Sequence, residues 1–98
     1  MTDITVEELK RRLDAGETLT VIDVREPHEY EEYNIGARLI PLGDIPVQAA
    51  SLAGKEDEEI IIHCRSGKRS AAAQRFLQQQ GFTNVRNLTG GMLAYQQL

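Results

Sequence analysis

Ile60-Ile61-Ile62-His63-Cys64-Arg65-Ser66-Gly67-Lys68-Arg69-Ser70, followed by Ala71-Ala72-Ala73-Gln74-Arg75-Phe76-Leu77, is the stretch that decides the fold. Three consecutive isoleucines, preceded by turn-forming and acidic residues, read as a buried strand of the kind found in parallel sheets. From Ala71 the pattern becomes helical, with Ala73, Phe76 and Leu77 at i, i+3 and i+4 and Gly81 where a helix ends. Between strand and helix lies a short polar loop that begins with Cys64, the only cysteine, and carries Arg65, Lys68 and Arg69.

A cysteine at the carboxyl end of such a strand sits where free backbone N–H groups converge and the positive end of a helix dipole points. Three nearby cations add to the same effect, and all of these lower a thiol pKa toward the nucleophilic thiolate. Gly67 lets the loop curl so that its amides face inward, with Ser66 and Gly67 supplying mainly N–H groups. Ser70 is placed either to cap the helix or to give its hydroxyl to the anion. The loop reads as a cradle for a sulfur nucleophile, Cys64.

Working outward, Thr5-Val6-Glu7-Glu8 is a capping box that opens a helix with Val6, Leu9 and Leu13 on its apolar face; Gly16 ends it. Lys10-Arg11-Arg12 reads as the wet side of that helix. Leu19 to Val24 is the next strand, and Asp23 and Arg25 fall at or just past its carboxyl end, where open parallel sheets place ligands. They are read as bracing the cysteine loop or lining its mouth, with a plain surface ion pair as the alternative. Pro27 to Tyr33 makes a short helix, Ala37 to Leu42 a brief strand, and Asp44 to Leu52 a helix with Pro46 near its start. After the central helix come a strand near Asn84–Leu88, a Gly90-Gly91 turn and a last helix, Met92 to Gln97. Strands and helices alternate throughout. The expected fold is therefore α/β, a single domain over residues 1–98, with a mostly parallel sheet of about five strands and helices on both faces.

Composition narrows the function. The chain has 98 residues, 41% hydrophobic and 27% charged, with a net charge of −4. Nucleic acid and anionic membranes are poor partners for such a chain, and no apolar run is long enough to span a bilayer. The start, Met1-Thr2-Asp3-Ile4, lacks the features of a secretory signal, so a cytoplasmic location is expected. One cysteine allows no internal disulfide, and His28 and His63 lack ligand-like spacing, so neither a metal nor a cofactor is expected. His63 precedes the nucleophile, but strand alternation turns it away, a structural role. A basic loop on an acidic chain points to a small anionic substrate.

Three stretches in register resemble one family. Cys64-Arg65-Ser66-Gly67-Lys68-Arg69-Ser70 resembles the active-site loop of rhodanese-type sulfurtransferases in their single-domain form. Val21 to Tyr30, continued by Ile35-Gly36-Ala37-Arg38-Leu39-Ile40-Pro41, resembles the family's N-terminal signature, and Gly90-Gly91-Met92-Leu93-Ala94-Tyr95 its C-terminal one. Asn34 stands where the family often has histidine, Tyr33 where glycine is common, and Tyr95 where tryptophan is common.

The resemblance implies a ping-pong thiosulfate sulfurtransferase. Cys64 takes the outer sulfur of thiosulfate or a similar small anionic donor, becomes a persulfide, and passes the sulfur to a thiol or protein acceptor. Arg65, Lys68 and Arg69 are the expected contacts for the donor's anionic end; at least one of them is solvated or paired with Asp23 or Glu26. Two rivals are weighed. A cysteine phosphatase or arsenate reductase needs Cys-x5-Arg, but the sixth position after Cys64 is Ser70 and Arg69 is the fifth. A persulfide relay or a non-catalytic partner-binding or redox-sensing module would use the same fold.

Overall fold

The computed structural model describes residues 3–98. Met1 and Thr2, part of the stretch read for a leader, lie outside the described residues. Among the described residues the elements are α1 (Val6–Asp14), β1 (Thr20–Asp23), α2 (Pro27–Glu32), β2 (Arg38–Leu39), α3 (Ile45–Gln48), β3 (Ile60–His63), α4 (Lys68–Gln79), β4 (Val85–Asn87) and α5 (Gly91–Tyr95).

The strands form one parallel sheet in the order β2-β1-β3-β4. Four strands stand where about five were expected. The remaining rung is a single parallel bridge from Ile4 to Leu88 at the β4 edge. It cannot lengthen, because Thr5 already turns the chain into α1, its hydroxyl accepting the Glu8 N–H at 3.1 Å.

Side-chain alternation along β1 and β3 divides the core in two. Ile22, Ile60 and Ile62 face a cluster with Ala73, Leu77, Ile45 and Leu52, beneath α4 and α3. Val21 and Ile61 face the other way, toward Val6, Leu9, Leu88 and Met92, beneath α1 and α5. Ile60, Ile61 and Ile62 are all 0% exposed, as a strand covered on both faces requires.

Two expected elements are shorter or broken. The β2 ladder is only Arg38–Leu39; beyond it Ile40 N–H still reaches Asp23 O at 2.9 Å and Leu42 N–H reaches Val24 O at 3.0 Å, but Pro41 between them has no N–H to give. The helix expected over Asp44–Leu52 is a 3₁₀ turn (Leu42–Asp44), α3, and a second 3₁₀ turn (Ala49–Leu52). Ser51 Oγ donates to Gln48 O at 2.6 Å, drawing on a carbonyl that a continuous helix would use.

Arg12 is not simply on the wet side of α1. Its guanidinium makes a two-pronged pair with Glu59 (2.7 and 2.8 Å) and reaches Glu17 at 3.1 Å. Arg86 on β4 shares Glu59 (2.8 Å) and Glu8 (3.2 Å). This network ties α1 to the segment that feeds β3.

The topology also fixes where a ligand belongs. From β1 the chain goes to β2 on one side and returns through β3 on the other, so the crevice at the carboxyl ends of β1 and β3 is the switch point. Cys64 and Arg25 stand at those two ends.

Candidate active site

β3 ends at His63, and the next four residues form the loop. Gly67 closes it as the α4 N-cap with φ +108°, a conformation that favours glycine. Helix α4 therefore starts at Lys68, three residues before the expected Ala71. Ser70 lies in the first turn and does not cap the helix.

Its hydroxyl takes the other expected role. Cys64 Sγ receives the Gly67 N–H at 3.1 Å, the Ser70 N–H at 3.4 Å and the Ser70 Oγ at 3.3 Å. The side chain is only 1% exposed, yet the loop end of the sulfur is lined by donors. Burial alone would push the thiol up. The Ser70 hydroxyl and the amides of Ser70, Gly67 and Ser66 outweigh it and hold Cys64 below its ordinary value. An anionic sulfur is what this loop favours.

The loop is braced from behind. Met92 N–H bonds Cys64 O at 2.9 Å, and Leu93 N–H bonds Arg65 O at 3.0 Å. Gly91, with φ +58°, makes this approach possible: a Cβ there would lie 2.5 Å from Arg65 O and 2.6 Å from Cys64 O. From β4, Asn87 Nδ2 donates to Gly67 O at 3.1 Å, and Asn87 Oδ1 accepts the Ser70 hydroxyl at 2.6 Å.

The expected cations occupy three different settings. Arg65 is exposed and lines a recess of about 130 Å³ together with Arg25, Glu29, Tyr33, Leu93 and Gln96. Lys68 is exposed on the first turn of α4. Arg69 is half-buried and engaged with Glu29 at 2.7 and 2.9 Å, so its partner is neither Asp23 nor Glu26. That Arg69 contact, opposed by burial and helped by the Glu26 backbone, brings the Glu29 carboxyl down to about 2.

Asp23 and Arg25 are not a surface pair. Asp23 is 0% exposed and accepts from Arg25 Nε (3.0 Å), a terminal guanidinium nitrogen (2.7 Å) and the Arg25 N–H (3.0 Å). The same guanidinium reaches Tyr33 O at 2.7 Å, which fixes its plane beside the recess. His63 points to the Ile61 side of the sheet, away from Cys64, with Nε2 3.8 Å from Asp23 Oδ2. Burial pushes His63 below its ordinary value and keeps it neutral.

Size does not mark this site. A larger hollow of about 330 Å³, lined by Pro46, Ala49, Glu56, Gln80 and Phe82 among others, offers no nucleophile. No helix among the described residues is long and apolar enough to cross a membrane.

Sequence reasoning missed Asn87, Glu29 and the contact role of Gly91. Glu29 acts 40 residues from Arg69, and Asn87 acts 17 and 20 residues from Ser70 and Gly67. Only the parallel register, which sets Asn87 beside Ile62, brings Asn87 to the loop.

A parallel α/β sheet with an amide-lined cysteine loop at its switch point defines the class of protein. The match to known proteins is specific: the rhodanese-like domain profile covers residues 5–98, and the chain belongs to that family. It is 43% identical over 91 residues to the Bacillus subtilis protein named "Putative sulfur carrier protein YrkF", covering 92% of this chain but 48% of that one, so the chain spans about half of that relative. It is 36% identical over 94 residues to a protein of Allochromatium vinosum named "Sulfurtransferase", covering 95% and 86%. The crystal structure of a rhodanese-like domain protein from Staphylococcus aureus superposes with a TM-score of 0.85 at 34% identity, covering 97% and 91%.

Proposed function

We propose that the protein is a sulfurtransferase that moves sulfane sulfur from thiosulfate, or a similar anionic donor, to a thiophilic acceptor through a persulfide on Cys64. The observation that carries this reading is the set of three loop donors, two N–H and one O–H, turned onto Cys64 Sγ. The relatives named for sulfur transfer and sulfur carriage support it.

In the first half-reaction the Cys64 thiolate attacks the outer sulfur of thiosulfate. A Cys64 S–S bond forms, the donor's S–S bond breaks, and sulfite leaves with the bonding pair. The terminal sulfur of the persulfide keeps the negative charge. The donors that favour the thiolate are placed to favour this anion as well. In the second half-reaction an external thiol, a protein acceptor, or cyanide in an assay attacks that terminal sulfur and restores the thiolate.

Arg65 and Arg25, which share the recess, are the proposed contacts for the donor's anionic end, with Lys68 adding charge from the helix. Ser66, Gly67 and Ser70 hold the sulfur, Asp23 fixes Arg25, and Arg69 holds the loop to α2. The expected cytoplasmic location belongs to the same proposal. A phosphatase role does not fit the spacing: Arg69 is one residue too early and is engaged by Glu29. Thiocyanate formation from thiosulfate and cyanide, abolished in Cys64→Ala, is the expected result. Undiminished turnover in that variant overturns the proposal.

A further inference from the structure

A hydroxyl has one proton, and that of Ser70 has two acceptors. Asn87 Oδ1 lies 2.6 Å from Ser70 Oγ, and Cys64 Sγ lies 3.3 Å from it. Asn87 is not free to turn its amide around, because its Nδ2 is held by Gly67 O at 3.1 Å. All three side chains are buried, Ser70 at 0%, Cys64 at 1% and Asn87 at 9% exposure, so water is a poor substitute partner.

The short O–H···O bond to Asn87 is the better one while the sulfur is a neutral thiol, and it leaves a Ser70 lone pair facing the S–H. Once the sulfur is negative, a charge-assisted O–H···S bond competes for the same proton. We propose that Asn87 is a positioning residue that parks the Ser70 hydroxyl proton, and that this proton swings between Asn87 and Cys64 as the charge on the sulfur comes and goes. The switch lets one loop serve both the neutral and the anionic sulfur without leaving a buried hydroxyl unpaired. It rests on the reading of Cys64 as the reacting sulfur, but its test needs no sulfur transfer.

The test is a four-member cycle of the native chain, Asn87→Leu, Ser70→Ala and the double variant. In each, Cys64 is titrated by thiolate ultraviolet absorbance, with the matching Cys64→Ala protein as blank. Asn87→Leu leaves the hydroxyl with the sulfur as its one remaining acceptor, so the Cys64 midpoint falls by about half a unit to one unit. In the Ser70→Ala background the same substitution leaves the midpoint where it was. The charged groups around the loop are Arg65, Lys68 and Arg69, Glu29 on α2, Asp23 at the end of β1 with Arg25 just past it, and Asp3, which accepts the Asn87 N–H, with His63 adjacent; all are common to the four proteins and cancel in the cycle.

An unchanged or raised midpoint in Asn87→Leu overturns the proposal, as does an equal shift with and without Ser70, which would mean that Asn87 acts only through Gly67 and the loop backbone. Asn87→Ala supplies the same comparison if the leucine variant does not fold. Failure of thiocyanate formation with this cycle intact would strike the sulfur-transfer reading alone.

Discussion

The missing side chain of Gly91 is part of how Cys64 is held: a Cβ at that position would stand 2.6 Å from the carbonyl oxygen of Cys64. That carbonyl accepts the Met92 N–H, so the first turn of α5 and the start of the cysteine loop touch backbone to backbone.

Gly91→Ala therefore meets both a φ of +58° and a backbone clash that no side-chain rotation relieves. We expect a loss of about 3 kcal/mol or more, read as a lower urea midpoint, with sulfur transfer reduced in whatever remains folded. Gly36→Ala is the control. It has a similar φ of +79° with nothing within 4 Å, and should cost only about 1–2 kcal/mol and leave turnover intact.

Asp23 and Arg25 form a buried pair, and such pairs are most costly when only one partner is removed. Asp23→Ala leaves the Arg25 guanidinium with Tyr33 O and, as counter-charge, only Glu29, which is already engaged by Arg69. The expected loss is about 3–5 kcal/mol in denaturant unfolding. A loss below about 1 kcal/mol would show that the guanidinium finds solvent and that Asp23 does not fix it.

Acid sensitivity follows from two carboxyls. Glu29, held by Arg69, and Glu59, held by Arg12 and Arg86, both sit at about 2 in the folded chain, below the 4.5 of a free glutamate. A carboxyl depressed by folding stabilises the native state fully above its unfolded value and loses that contribution as pH falls through the folded one. Stability should therefore decline between about pH 5 and pH 2, by about 1–2 kcal/mol for each group after allowance for solvent screening. Glu59→Gln should start less stable at neutral pH and show a shallower decline, measured as the unfolding midpoint against pH.

The three loop cations should separate kinetically. Arg65→Ala, which strips a cation from the recess, is expected to raise the KM for thiosulfate about tenfold with a smaller change in kcat, and the effect should shrink in high salt. Arg69→Ala removes the α2–α4 pair instead, so its main cost is about 1 kcal/mol of stability. Equal KM effects from both would contradict the division of roles.

Much of this was readable in the chain itself, and the rest was not, for physical reasons. Ile60–Ile62 and the glycine-bearing loop after Cys64 carry local signals, so the strand, the cradle and the parallel sheet follow from neighbours in sequence. The start of α4 was misplaced because Lys68 and Arg69 oppose the helix dipole in a first turn, a local rule that this loop sets aside. Asp44–Leu52 looked like one helix from Asp44 as N-cap and Pro46 in the first turn; Pro46 does sit in the first turn of α3, but the Ser51 bond to Gln48 O ends the α-helix at Gln48. Glu29 and Asn87 reach the site only through tertiary folding, and nothing near them in sequence says so.

The central claim is that the sulfur rides on Cys64. Intact mass spectrometry after incubation with thiosulfate tests it most directly. The account predicts a gain of one sulfur atom per chain, removed by cyanide and absent in Cys64→Ser. Thiocyanate produced while the chain gains no sulfur, or a gain that survives in Cys64→Ser, would contradict it.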